Sequence, residues 1–120
     1  MYTKVSLENA EAREFEDGPT LRSIGYDLQA ERMRPAVWEY EAGEENAYHR
    51  QDEQEELYVV LEGRFDVTIE RDDDRSVVEL GRDDCLLVPP EPWRQLAARE
   101  DGTVLVVGAP NVKDDGILEE

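Results

Sequence analysis

Residues 43–63 read GEENAYHRQDEQEELYVVLEG. The segment contains the only histidine of the chain, His49, followed by a regular alternation. Glu56, Tyr58, Val60 and Glu62 fall on one side of an extended strand and Leu57, Val59 and Leu61 on the other, the period-two pattern of a sheet. Glu56 is in phase with Tyr58 and Val60, so its carboxylate is expected to face inward. His49 and Gln51 share one side of a short strand over residues 48–51. Gly43 and Gly63 are read as turns.

The same period continues on both flanks. Downstream, Phe65, Val67 and Ile69 alternate with Asp66, Thr68 and Glu70, and Asp72-Asp73-Asp74 is read as the hairpin tip that follows. An EF-hand reading of that acidic run fails for want of a Gly and a distal Glu at fixed offsets. Short strands are expected again at residues 76–80, 84–88, 93–98 and 103–107. Upstream, residues 33–40 place Met33, Pro35 and Val37 on one face and Arg34, Ala36, Trp38 and Tyr40 on the other, both partly apolar. This many short strands, punctuated by Gly, Asp and Pro and without a sustained helix, predicts an all-β sandwich or barrel.

The ends are less regular. Residues 2–5 read as strand-like, Ser6 as the cap of a single helical turn, Gly18-Pro19 as a turn, and residues 20–29 as a weak strand. Residues 109–120 form a polar tail whose Ile117 and Leu118 either tuck against the barrel or fray. Cys85, in an apolar run, is read as an inert packing residue. Trp38 and Trp93 are read as aromatic filling rather than platforms for a substrate.

At 120 residues the chain is expected to form a single domain with one core. No run approaches the ~18 apolar residues that span a bilayer, and Met1 leads into a mixed polar segment, so a cytoplasmic location is expected. With one cysteine there is no intrachain disulfide. The charge is extreme: 31 acidic residues against 13 basic, a net -18. Such a surface repels nucleic acid and anionic membranes, which are therefore not expected as partners. Lys4 and Lys113 are the only lysines, and an acidic, lysine-poor surface suits a halophile's cytoplasm, where a Debye length of about 3 Å at 1 M salt screens self-repulsion. A mesophilic acidic protein is the alternative. Disorder does not suit the regular apolar strands.

The spacing Gly43, His49, Gln51, Glu56, Gly63 resembles the first motif of the cupin superfamily, Gly-x5-His-x-His-x3-4-Glu-x6-Gly. It departs at Gln51, where the family usually has its second histidine. Residues 83–98 resemble the second motif, Gly-x5-Pro-x-Gly-x2-His-x3-Asn, at Pro89 and in the apolar run before it. Asp83 and Glu91 stand where glycines are usual, Arg94 stands in place of the histidine, and Ala98 in place of the Asn. The resemblance covers residues 33–110 and implies a small single-domain cupin with a jelly-roll β-barrel, or double-stranded β-helix. It divides the chain into an N-terminal arm (1–30), the barrel (31–110) and a tail (111–120). It also implies a homodimer, with the arm placed to pair with a sheet edge of the second subunit.

In metal-binding cupins the three ligands of the first motif and the histidine of the second hold a divalent ion. Carried over, the set is His49, Gln51, Glu56 and Arg94. His49 and Glu56 are good ligands, the Gln51 amide is a weak one, and a guanidinium cannot coordinate. A unit charge about 4 Å from a divalent ion costs roughly 8 kcal/mol at an effective dielectric near 20. The simpler expectation replaces the ion with an Arg94–Glu56 pair across the barrel mouth.

Two classes of function follow. The first is a degraded metal site that binds a small anionic or polar molecule without metal, with Arg94 contacting a carboxylate or phosphate, His49 and Gln51 orienting it and Tyr58 lining the wall. The second is an enzyme. One version is a metal-dependent isomerase, decarboxylase or dioxygenase that uses Fe, Mn, Ni or Zn on His49, Gln51 and Glu56. The other is metal-free, with His49 as base and Arg94 stabilising an oxyanion during epimerisation. A structural or regulatory barrel without chemistry is the third reading.

Overall fold

The computed structural model describes residues 2–119; Met1 and Glu120, the outermost residues of the arm and the tail, lie outside them. Among the described residues eleven strands follow one another: β1 (Ala12–Arg13), β2 (Thr20–Arg22), β3 (Arg34–Tyr40), β4 (His49–Gln51), β5 (Glu55–Glu62), β6 (Phe65–Arg71), β7 (Asp74–Leu80), β8 (Cys85–Val88), β9 (Trp93–Ala98), β10 (Gly102–Ala109) and β11 (Gly116–Leu118). A short helix, α1 (Ile24–Leu28), interrupts them between β2 and β3. The strands form two antiparallel sheets, ordered β1-β2-β3-β10-β5-β8 and β11-β4-β9-β6-β7, the two-layered arrangement of a jelly roll.

The core is where the period-two pattern puts it. Tyr58 and Val60 of β5 and Val104 and Val106 of β10 are buried on the inner face of one sheet, and Phe65, Val67 and Leu96 on the inner face of the other. Each such aliphatic or Phe side chain contributes about 1.5–3 kcal/mol by leaving water. Tyr40 and Phe65 meet edge to face across the layers, ring centroids 5.0 Å apart, a favoured aromatic geometry.

Several expectations at the ends are revised. Residues 23–29 are not extended: Ile24 and Leu28 lie one helical turn apart on α1, which stops at Gln29 in the left-handed conformation, φ 59°. Gly25 lets α1 lie against β3, since a Cβ there would come within 2.8 Å of the Pro35 ring. Residues 2–5 belong to no strand. Leu7–Asn9 makes the single turn expected after Ser6, but as a 3-10 turn without a Ser6 side-chain cap. The arm pairs with its own barrel, Leu21 of β2 lying opposite Trp38 of β3.

The tail is partly ordered as well, Ile117 of β11 pairing with Arg50 of β4. The hairpin tip is Asp72-Asp73, both at positive φ, as a two-residue turn of right-twisted strands requires; Asp74 already belongs to β7. Cys85 is exposed rather than packed, because β8 ends its sheet and Cys85 points to the outer face. No helix of the described residues is long and apolar enough to cross a membrane.

Candidate functional site

The four motif positions expected to be glycine share one backbone property. Gly43 and Gly63 have φ of 92° and 86°, and Asp83 and Glu91, where glycines are usual, have φ of 72° and 90°. The left-handed turns have therefore been kept while the side chains changed, at a cost that a non-glycine residue has to bear. The backbone N–H of Glu91 donates to the carbonyl of Gln51 at 3.0 Å, which ties the second motif to the first.

Three expected residues, His49, Tyr58 and Arg94, meet at Glu56. His49 stands opposite Arg94 where β4 pairs with β9, and Glu56 lies on β5 of the facing sheet. Glu56 Oε1 accepts a hydrogen bond from the Tyr58 hydroxyl at 2.5 Å. The same oxygen lies 3.6 Å from His49 Nε2 and 3.7 Å from Arg94 Nε. The His49 ring is oriented by its Nδ1, 2.9 Å from the carbonyl of Ala47. Gln51 is buried nearby, its amide oxygen without a hydrogen-bond partner among the described residues.

The Arg94–Glu56 pair is present, but it is not the bidentate fork that guanidinium geometry allows. Arg94 is fully buried and donates from one terminal nitrogen, Nη2, to the carbonyl of Pro89 at 2.7 Å. Its Nε and Nη1 have no hydrogen-bond partner among the described residues. The motif proline thus holds the guanidinium at the level of Glu56, facing the carboxylate without gripping it.

Burial is the largest single influence on Glu56 and pushes its pKa up. Hydrogen bonds from His49 and Tyr58, with the charges of His49 and Arg94, together outweigh it and leave Glu56 below the ordinary glutamate value. Tyr58 goes the other way: burial, and then the adjacent Glu56 charge, push its hydroxyl well above the usual tyrosine value. Tyr40, which the motifs do not mark, is raised by burial and by Glu44 and Glu56. Glu56 is accordingly the anionic centre of this group, and the two tyrosines stay neutral beside it.

A cavity of about 770 Å³ opens beside this group. Gln51, Gln54 and Glu56 form its floor, Trp38 and Val106 part of its wall, and its rim includes Glu11, Arg13 and Asp27 of the arm, Arg34 of β3 and Asp114 of the tail. Arg94, His49 and Tyr58 do not line it. Gln54 was not marked by the motifs because it falls in their variable spacer. It is buried and donates from Nε2 to the carbonyl of Val112 at 3.1 Å. Trp38 combines a stacked contact with Phe15, centroids 6.0 Å apart, with a place in the cavity wall. Trp93 stacks on Tyr48 away from the cavity.

The donor set does not fit a divalent ion. His49 Nε2 and Glu56 Oε1 are suitably close, but Gln51 adds a weak ligand and Arg94 a positive charge that cannot leave. Its side chain is fully enclosed and anchored on Pro89. A second group of acids, Asp52, Glu53 and Asp115, brings one oxygen from each within 4.8 Å of the others. Asp115 is already in use there, its carboxylate accepting the backbone N–H groups of Asp52, Glu53 and Gln54. That carboxylate is a clamp between the tail and the loop after Gln51.

Comparison with known proteins agrees with the architecture. A family model described as Cupin domain matches residues 36–108. No curated protein matches the chain. Among solved structures, a tryptophan-to-phenylalanine variant of oxalate decarboxylase from Bacillus subtilis superimposes with a TM-score of 0.82 at 18% identity, over 98% of this chain and 32% of that one. The same enzyme at pH 4.6 gives 0.82 at 19% identity, over 97% and 31%. A further structure of it, described for its Mn(II) centres, gives 0.79 at 17% identity, over 97% and 32%. At such identities the likeness is one of fold, and the chain spans about a third of the length of the decarboxylase.

Proposed function

The chain belongs to the cupin-domain family, and on that premise we propose that it binds a small polar molecule at the barrel mouth without a metal ion. The observation that carries this reading is Arg94, fully buried with its Nε 3.7 Å from Glu56 Oε1. A cation is thus built into the group that would otherwise hold one. The ligand would enter the cavity above Gln51, Gln54 and Glu56, polar groups set among apolar walls in the manner of small-molecule sites.

The test is elemental analysis of untagged protein purified in high salt, with Glu56→Gln as control. The expected result is no stoichiometric metal in either protein. Near one equivalent of Fe, Mn, Ni or Zn, lost in Glu56→Gln, would replace this reading with the metal-dependent enzyme on His49, Gln51 and Glu56.

Metal-free catalysis is supported by one observation. The His49 ring is fixed by Ala47 and its other nitrogen faces Glu56, the base-and-orienter arrangement of a general base. Arg94, enclosed behind Glu56, is in no position to reach an oxyanion in the cavity, so this reading lacks its second group.

For the quaternary state the proposal is a homodimer. Leu57 and Leu87 are direct cross-strand neighbours of β5 and β8, and both are exposed, together with Leu61. A second copy would cover this outer face. Light scattering that finds the wild type to be a monomer, or Leu87→Glu to remain a dimer, would refute it.

A further inference from the structure

We propose that the molecule held in the cavity is a small organic cation, a primary ammonium compound, rather than an anion. The inference rests on the metal-free reading above and assigns the ligand class for that same site.

Three observations carry it. The first is which groups reach the cavity. Arg94, the cation expected to grasp a carboxylate or phosphate, has no exposed surface and does not line the cavity, whereas Glu56 does. All three close contacts of Glu56 fall on Oε1. Its Oε2 has no hydrogen-bond partner among the described residues. The face the site offers to a ligand is therefore a carboxylate oxygen, and Glu56 stands between the ligand and the Arg94 charge.

The second observation is Gln51. It is only 7% exposed, lines the same cavity, and its amide oxygen has no partner. A buried amide left unmatched is costly; the oxygen is enclosed as it stands, and a turn of the Gln51 side chain would bring it to a donor-rich ligand held by Glu56 Oε2. An ammonium group brings three N–H donors and no acceptor, which matches acceptors supplied by two residues of one cavity, Glu56 and Gln51. A carboxylate ligand would set two anions against each other.

The third is the rim. Glu11, Asp27 and Asp114 border the opening together with Arg13 and Arg34; with Glu56 and Asp115 the lining carries five carboxylates against two guanidinium groups, and the chain as a whole has a net charge of -18. That field concentrates cations at the mouth and disfavours anions. The apolar walls, among them Trp38, Pro35 and Val106, call for a carbon skeleton behind the charge. A bare alkali or divalent ion would leave that surface uncovered, and a divalent one would meet Arg94 as well.

The experiment titrates the whole chain, at constant ionic strength, with n-butylammonium chloride and separately with sodium butyrate. The readouts are the side-chain amide resonances of Gln51 and Gln54 and the fluorescence of Trp38. Saturable shifts with butylammonium alone are expected, weakened about tenfold or more in Glu56→Gln by loss of a charge-assisted hydrogen bond. Because Glu56→Gln also disturbs the pair with Arg94, a rim variant, Glu11→Gln with Asp27→Asn, is titrated beside it and is expected to bind more weakly while folding normally.

Saturation by butyrate and not butylammonium would overturn the cation assignment and leave metal-free binding standing. Butylammonium binding unchanged in both variants would place it elsewhere on the acidic surface and also overturn the assignment. No response to either probe would do the same, and if one equivalent of metal were then found, the metal-free reading would fall with it.

Discussion

His49 stands directly opposite Arg94 in the ladder between β4 and β9, and the two side chains address the same oxygen of Glu56, at 3.6 and 3.7 Å. The two sequence motifs therefore converge on one carboxylate supplied by the facing sheet. Arg94 is the member of this group with no exposure to water. Removing one partner of a buried pair strands the other's charge and typically costs about 3–5 kcal/mol. Arg94→Met is expected to lose about that much in urea denaturation. The double variant Arg94→Met with Glu56→Gln should recover a large part of it, because neither charge is then left unmatched. A double variant no more stable than Arg94→Met would mean that Arg94 acts by filling space rather than by charge.

The backbone of the site is expected to accept a metal once the side chains allow it. Gly43, Gly63, Asp83 and Glu91 all keep left-handed φ, so the turns that aim the motif strands are intact. Gln51→His with Arg94→His would remove the competing cation and supply two imidazoles, giving three histidines and Glu56. Calorimetric titration with manganese or nickel is expected to show binding near one equivalent in this variant and much weaker binding in the wild type. Equal binding in the two would show that Arg94 is not what excludes the ion.

Much of this was legible in the sequence, and the physical reason differs from residue to residue. Glu56 was placed inward by its phase with Tyr58 and Val60, a local property of one strand. The meeting of His49, Gln51, Glu56 and Arg94 was legible because motif spacing encodes register, and a slip of one residue would turn each side chain to the other face. The enclosure of Arg94 was not legible. It depends on the carbonyl of Pro89, which no side-chain pattern reports. Nor was the cavity rim, since Glu11, Asp27 and Asp114 come from the arm and tail, where α1 has one helical turn of apolar spacing and β11 three residues. The outward turn of Cys85 followed from β8 being a sheet edge, and strand order is not written in one strand's composition.

Glu91 adopts φ 90°, a conformation that costs an L-residue about 1–2 kcal/mol. Glycine has no such penalty but loses about 0.5–1 kcal/mol of chain entropy on folding. Glu91→Gly is therefore expected to stabilise the fold by up to about 1 kcal/mol, read as a rise in thermal midpoint. Asp83→Gly should gain less, because aspartate tolerates the left-handed region better. A fall in the midpoint of Glu91→Gly would show that the glutamate side chain contributes a stabilising contact of its own.

Asp115 is buried and its carboxylate collects the N–H groups of Asp52, Glu53 and Gln54. Asp115→Ala leaves the Glu53 and Gln54 N–H groups without an acceptor, while that of Asp52 keeps the Asp115 carbonyl at 3.2 Å, and an unmatched buried donor costs about 1–3 kcal/mol. The variant is expected to lose at least that much stability and to show faster hydrogen exchange at the Gln54 amide. Calcium or magnesium should not stabilise the wild type, since Asp115 is already occupied by the backbone; a cation-dependent rise in midpoint, absent in Asp115→Ala, would turn the clamp into a metal site.

Acid should act on the two sides of Glu56 in a way that can be separated. Its pKa lies below the ordinary value of 4.5 in the fold, so the unfolded chain takes up the proton first as pH falls. In that window the unfolded state binds more protons, and stability rises with pH. The Glu56 contribution is therefore complete above about pH 4.5 and is lost as pH drops through the folded value. The rest of the surface has the opposite tendency, because protonating some of the 31 acidic residues relieves self-repulsion. The wild-type curve mixes both effects, but the difference between wild type and Glu56→Gln isolates the first. Urea midpoints measured from neutral pH downward should give a difference that is constant to about pH 4.5 and shrinks below it. A difference independent of pH would mean that folding leaves the Glu56 pKa unshifted. One that moves in favour of wild type as pH falls from neutral to about 4.5 would mean that Glu56 is protonated in the fold, so that the anionic centre assigned to this site would be lost.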